Sequence, residues 1–223
     1  MAFISNKVAI LREEIADLCG KAGRKIDNVT IVAVTKNVEV SLINEAINGG
    51  ITDIGENRLQ EAKKQFEVGL LPCAKHFIGH LQSNKVKDAV KLFDTIDSLD
   101  SYGLAELINV EAERVLKKMP VLAQVNIAED KAKYGLSADE APHFLRKISI
   151  FKWLDVQGLM AIIPYFKNPE DGRKYFKAMK KLFDELSGVY HGFKRLSMGM
   201  SNDFRVALEE GATEVRLGTY LFK

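Results

Sequence analysis

Residues 29–36 read Val-Thr-Ile-Val-Ala-Val-Thr-Lys. The run is continuous and rich in β-branched side chains, with no alternation of apolar and polar residues. Such a run suits a strand covered on both faces, as in a parallel sheet. Upstream, Val8, Leu11, Ile15 and Leu18 recur at helical spacing, and Gly20 and Gly23 close that helix. Downstream, Val40, Ile43 and Ile47 return to the helical period, and Gly49-Gly50 stop it. A strand with helices on both sides points to crossover connections between parallel strands.

The same alternation fills the rest of the chain. Strands are expected at Ile51–Gly55, His76–Gly79, Phe93–Ile96, Pro120–Ile127, within Trp153–Ile163, at Leu196–Met198 and at Thr213–Leu217. Helices are expected around Leu59–Phe66, Lys85–Leu92, Leu104–Val115, Ala138–Ile148, Tyr175–Leu186 and Asp203–Glu210. About eight strand-then-helix units in roughly 200 residues fit a single (β/α)8 TIM barrel near its lower size limit. The rival is an open doubly wound sheet. Against it, the first strand runs into VTKNVEV with no G-x-G-x-x-G, and no G-x-x-x-x-G-K-[ST] occurs. No linker or low-complexity stretch divides the chain, so residues 1–223 are expected to form one domain.

Composition narrows the function classes. The 223 residues are 47% hydrophobic, enough for one sizeable core. With 32 basic and 30 acidic residues the net charge is only +2, which gives no global field for nucleic acid or an acidic membrane surface. Cys19 and Cys73 lack metal-like spacing and fit a reducing compartment. The N-terminal MAFISNKVAILREEI has no apolar core or cleavage site of a signal peptide, and no run approaches the ~18 apolar residues of a membrane span. A cytoplasmic monomer is the expectation.

In a barrel the chemistry gathers where strands end. The expected ends are Thr35-Lys36, Gly55-Glu56-Asn57, Gly79-His80, Asp97-Ser98, Gln124–Asn126, Gly158–Met160, Ser197–Asp203 and Arg216–Thr219. Lys36 follows a buried run and is expected to point into or just above the barrel. There desolvation would leave more neutral amine to attack a carbonyl; the plainer reading is a lysine reaching solvent. Ser197–Asp203 has the makings of a phosphate seat, with Gly199 for backbone freedom and Ser201 to cap the next helix. Arg216, Gly218 and Thr219 add a cation, a bare backbone and a hydroxyl; the plainer reading is two ordinary loops. An amine and a phosphate seat across one mouth suit a phosphorylated aldehyde.

Weaker candidates each have a structural reading beside the functional one. His76 and His80 have zinc-like spacing but no clear third ligand. Glu56 is either a general base or a partner for neighbouring backbone and side chains. Met198 and Met200 read as packing, and Lys131 and Lys133 as a solvated loop that would draw anions toward the mouth. His143 and His191 read as surface.

At these positions the chain resembles the pyridoxal phosphate homeostasis proteins. The matching pieces are VAVTK (32–36), GEN (55–57), HFIGHLQSNK (76–85), TID (95–97), QVNIAEDKAKYG (124–135), GLMAI (158–162), LSMGMSNDF (196–204) and EVRLGTYLF (214–222). The resemblance implies a fold-type III barrel like the N-terminal domain of alanine racemase, with pyridoxal 5′-phosphate held as a Schiff base on Lys36. It implies phosphate contacts from Ser197, Met198, Met200, Ser201, Gly218 and Thr219, with Arg216 facing the pyridine nitrogen and Asn57 beside the cofactor.

It also implies a carrier in vitamin B6 homeostasis rather than an efficient enzyme. An arginine beside the ring nitrogen disfavours its protonation and weakens the electron sink. The chain ends soon after the last strand, without the second domain that gives alanine racemase its opposing tyrosine. Apo-enzymes that use the cofactor are the expected transient partners. The alternative is a racemase-like enzyme; a lysine aldolase using Glu56 is a third reading, and a ligand-free scaffold is opposed by the polar strand ends. Asn202 stands where many relatives carry aspartate, and His80 where many carry proline.

Overall fold

A computed structural model describes residues 3–26 and 29–223. Eight parallel strands close into a barrel in chain order. They are β1 (Thr30–Val34), β2 (Asp53–Glu56), β3 (Ala74–Phe77), β4 (Thr95–Leu99), β5 (Met119–Val125), β6 (Leu154–Ala161), β7 (Arg195–Met200) and β8 (Glu214–Leu217). The ring is sealed where β1 pairs with β8, Ala33 opposite Leu217. The barrel reading of the sequence is correct, and the open sheet is excluded.

Helices cover the outside: α1 (Phe3–Lys21), α2 (Val40–Asn48), α3 (Leu59–Glu67), α4 (Val86–Leu92), α5 (Tyr102–Arg114), α6 (Glu140–Ile148), α7 (Arg173–Ser187), α8 (Phe204–Glu209) and the short α9 (Thr219–Phe222). Their apolar stripes are buried as the periodicity predicts. In α7 these are Phe176, Met179, Leu182, Phe183 and Leu186, each contributing about 1.5–3 kcal/mol when fully buried. Helix α1 buries Ile4, Val8, Leu11 and Ile15 and packs on α2, α8 and α9. An N-terminal helix thus covers the seam between the last and first strands, where the four residues of α9 are too short to do so.

Strand alternation sorts the residues by face. Ile31 and Ala33 point outward into the core under the helices. Val32, Leu122 and Met160 are equally buried but lie outside that core; they fill the lumen. Shifts in two strand boundaries move candidate site residues. Phe93 caps α4 and is buried there, so β4 begins at Thr95 and ends at Leu99. Asp97 and Ser98 therefore sit inside a fully buried strand rather than at its end. Strand β3 stops at Phe77, and Gly79-His80 lies in the loop beyond.

The N-terminal end of the lumen is charged. His76 Nδ1 lies 2.8 Å from Asp97 Oδ2, and its Nε2 lies 2.9 Å from Asp53 Oδ1. Arg195 donates to Glu214 Oε2 at 2.8 Å from Nη2, to Asp97 Oδ1 at 3.2 Å and to Thr95 Oγ1 at 3.0 Å. Burial alone would lower the pKa of His76, but Asp97 and Asp53 outweigh it and lift it to about 10. A cavity of about 410 Å³ opens below this floor. Side-chain atoms of His76, Asp97 and Glu214 come within 4.8 Å of one another, but a protonated imidazole held at both nitrogens, with Arg195 beside it, is a finished ion network and not a metal site.

Candidate functional site

The opposite, C-terminal end of the barrel is where loops from many strands meet. A mouth of about 370 Å³ opens there, lined among others by Val34, Asn57, His80, Tyr134, Met200 and Arg216. Seven of the eight strands or their following loops contribute to it.

Lys36 stands two residues beyond Val34, in a turn that runs from Thr35 to Val38 and is closed by Val38 N donating to Thr35 O at 3.0 Å. Asn37 takes the left-handed corner, φ +56°, which asparagine tolerates better than most residues. The expected desolvated lysine is not what the fold delivers: Lys36 is exposed. The strand has ended before its side chain could be enclosed.

Arg216 comes from the end of β8 and is buried at the base of the mouth. Its Nη1 donates to Ser197 Oγ at 2.6 Å and its Nη2 to Ala161 O at 2.7 Å. Burial lowers its pKa, opposed by Glu214, Asp97 and Asp203. Ser197 is consequently a lumen residue that orients Arg216, not a member of a loop. Met198 is wholly buried in the core under the helices, so its side chain faces away from the mouth, whereas Met200 lines it.

Ser201 links two loops. Its hydroxyl accepts from Gly218 N and Tyr220 N, each at 3.2 Å. Gly218 packs against the barrel where a Cβ would meet Val34 at 3.4 Å, which brings the β8 loop alongside the lysine turn. Thr219 is exposed next to it. The Ser201 loop is fixed by Asp203, whose Oδ1 accepts from Met200 N at 2.6 Å. Asn202 donates to Phe166 O at 2.9 Å, so this departure from the common aspartate ties the loop to the segment after β6.

Asn57 follows β2, and its Oδ1 is buried without a hydrogen-bond partner. An orphaned acceptor facing a cavity fits a site that takes a hydrogen-bonding ligand. Gly79 permits the close approach of the next loop: a Cβ there would lie 2.3 Å from Asn57 O.

Sequence reasoning passed over the wall opposite Lys36. Tyr134 stacks on His80 with ring centroids 3.6 Å apart. The loop that carries Tyr134 is pinned by Gln124 Nε2 donating to Tyr134 O at 3.0 Å and by Asn126 Nδ2 donating to Asp130 O at 2.8 Å. The strand-end amides of β5 and the Gly135 turn, φ +126°, were the available signal. Lys133 lines the mouth and Lys131 is exposed. His76 belongs to the floor and His80 to the mouth, so the two do not share a site. His143 and His191 are exposed.

Glu56 does not serve the mouth. It faces outward behind the lysine turn, where Thr35 Oγ1 donates to its Oε1. Burial lifts its pKa to about 7 against the Thr35 bond. The aldolase reading loses the acid/base it required, because that carboxyl is on the wrong face of β2.

The profile of the family described as "Alanine racemase, N-terminal domain" matches residues 9–223. A "Pyridoxal phosphate homeostasis protein" of Aquifex aeolicus is 40% identical over 212 residues, covering 94% of this chain and 93% of that protein. One of Pseudomonas aeruginosa is 34% identical, covering 100% and 96%. The structure of PipY from Synechococcus elongatus with PLP bound superposes with a TM-score of 0.85 at 31% identity, covering 99% of this chain and 100% of that one.

Proposed function

As a member of the pyridoxal phosphate homeostasis proteins, within the alanine racemase N-terminal domain family, this chain binds pyridoxal 5′-phosphate in the mouth of its barrel, we propose, and carries it on Lys36 without robust catalysis. The carrying observation is convergence. The orphaned Asn57 Oδ1 and the fixed Arg216 cation line the mouth, and the Lys36 turn and the Ser201 loop, tied to Gly218 and Tyr220, stand at the same end of the barrel. The PLP-bound PipY structure supports the ligand.

Bound pyridoxal phosphate supplies an aldehyde that condenses with amines and a ring that withdraws electrons. Lys36 offers the amine. The Ser201 hydroxyl, held by the N–H groups of Gly218 and Tyr220 that donate to its oxygen, and the Thr219 hydroxyl offer donors to a phosphate; charge-assisted bonds of this kind are about twice as strong as neutral ones. Arg216 cannot give up its proton at neutral pH, and its bonds to Ser197 and Ala161 hold it in place. A fixed cation facing a ring nitrogen keeps that nitrogen unprotonated and the ring a poorer electron sink.

The similar proteins are named for homeostasis rather than for a reaction. Exposure of Lys36 supports exchange: water and competing amines reach the point of attachment. On this reading the chain is a cytoplasmic monomer that takes up the cofactor and releases it to apo-enzymes through transient encounters. Tyr134, His80 and Lys133 do place titratable groups in the mouth, and they motivate the racemase-like alternative.

A spectrophotometric titration compares pyridoxal 5′-phosphate with pyridoxal. The phosphate seat predicts binding of pyridoxal weaker by about tenfold or more, the equivalent of ~1.4 kcal/mol. Equal affinity would remove the seat from the account. Exchange of an amino acid α-proton with deuterated solvent at enzymatic rates would instead favour the racemase-like reading.

A further inference from the structure

Behind the lysine turn lies a buried polar cluster that plays no part in the mouth. Gln65, on α3, donates its Nε2 to Thr35 O at 2.9 Å and to Val38 O at 3.2 Å. These two carbonyls are the ends of the turn that presents Lys36. Because both are acceptors, the amide can only point its nitrogen at them, and the orientation of Gln65 is settled by chemistry. Its Oε1 is then turned away, buried and without a donor.

Two more oxygens in the cluster are in the same state. Glu56 Oε2 and Glu61 Oε2 are buried with no hydrogen-bond partner, and Glu56 is 1% exposed. Glu56 Oε1 already takes the Thr35 hydroxyl, and the Gln65 amide adjoins the same carboxyl. Three buried acceptor oxygens, on Gln65, Glu56 and Glu61, lack a donor. A buried acceptor left unpaired is costly, so the cluster is short of at least one hydrogen.

We propose that Glu56 is a positioning residue whose carboxyl carries that hydrogen, and that the protonated carboxyl braces Thr35 and Gln65 so that the turn presents Lys36 to the mouth. The Asn57 backbone N–H and the Gln65 amide join the Thr35 hydroxyl in favouring the ionised carboxyl, but burial outweighs all three. From α3 the facing group is Glu61, which raises the proton affinity of Glu56. Arg58 engages the other Glu61 oxygen, Oε1, at 3.1 Å on the surface. After β1 the facing group is the Thr35 hydroxyl, already committed, and after β3 it is Ile78 N, which donates at 2.9 Å to the Glu56 backbone carbonyl rather than to the carboxyl. Burial brings the proton's release to about pH 7, so the brace loosens just above neutrality.

The cofactor arm of the test rests on the proposed pyridoxal phosphate site; the other arm does not. Difference infrared spectroscopy of the protein without cofactor is expected to show a protonated carboxylic acid band that vanishes as pH rises through neutrality and is absent in Glu56→Gln. Amide exchange at residues 35–38 is expected to speed up over the same range in the wild type only. With cofactor, Glu56→Gln, which mimics the neutral acid, is expected to match the wild type in mildly acidic buffer. Above neutrality it should bind more tightly than the wild type by about tenfold, the factor for a pKa difference of one between bound and free protein. Gln65→Met removes both turn bonds and is expected to abolish the pH component of exchange while keeping the acid band.

Absence of the acid band at mildly acidic pH would overturn the proposal. So would Glu56→Gln losing affinity at every pH, which would mean the charge is needed. A band that is missing together with affinity that rises on adding potassium would replace the proton with a bound cation. If no variant binds the cofactor at all, the pyridoxal phosphate reading fails, while the infrared and exchange results still decide the role of Glu56.

Discussion

Replacing His76 by glutamine tests the floor of the barrel quantitatively. The imidazole lies between Asp97 and Asp53 at 2.8 and 2.9 Å and is 3% exposed. Its pKa of about 10 against an ordinary 6.5, at about 1.4 kcal/mol per tenfold, corresponds to stabilisation on the order of 5 kcal/mol. The sign follows from the direction of the shift. Below pH 6.5 the group is protonated in folded and unfolded chains alike, so the whole contribution is present. It is lost as pH rises from 6.5 through about 10, because only the folded chain still holds the proton. Removing one partner of a buried ion network costs about 3–5 kcal/mol. The assay is urea unfolding followed by circular dichroism at a series of pH values. Wild-type stability is expected to fall over that range, while His76→Gln starts lower and loses the slope, so that the two curves converge at high pH. Parallel curves would refute the reasoning, since they would mean that His76 enters the folded protein uncharged.

Ser201→Ala removes the hydroxyl offered to the phosphate and the acceptor that holds the Gly218 and Tyr220 N–H groups, and is expected to weaken cofactor binding by about tenfold while lowering stability by about 1 kcal/mol; a titration with pyridoxal 5′-phosphate and a melting curve check both. Gly79→Ala puts a Cβ 2.3 Å from Asn57 O; the forced backbone shift is expected to cost about 1–3 kcal/mol and to reduce affinity, read by the same two measurements. Tyr134→Ala removes the stack on His80 and is expected to speed release of the cofactor severalfold in a stopped-flow chase, with little change in melting temperature.

The strands were legible because β-branched runs such as 29–34 sit between helical periods, and a closed barrel needs that order to repeat. Boundaries were less so. Phe93 reads as a strand residue by type, but its place at the end of α4 is fixed by tertiary burial, which no local pattern carries. The same limit applies to the site. Lys36, Asn57 and Arg216 were visible because polar residues end apolar runs. The direction of a side chain depends on parity through the last strand residue, so strand-end position alone leaves Met198 and Glu56 with a structural reading beside the functional one; the fold turns Ser197 to the lumen, Met198 to the core and Glu56 toward Thr35 and α3. The floor network leaves no local signal in the sequence, because Asp53, His76, Asp97, Arg195 and Glu214 come from five strands and meet only when the barrel closes. Tyr134 was missed for a similar reason: its partner His80 is 54 residues away, and a loop must fold back before the two rings stack.

The central claim is that Lys36 holds pyridoxal 5′-phosphate. Incubation with the cofactor, borohydride reduction and peptide mapping test it directly. The account predicts a visible absorbance band that reduction abolishes, one pyridoxyl group per chain located on Lys36, and no such product in Lys36→Ala. A colourless protein, or a label spread over surface lysines and unaffected by that substitution, would contradict it.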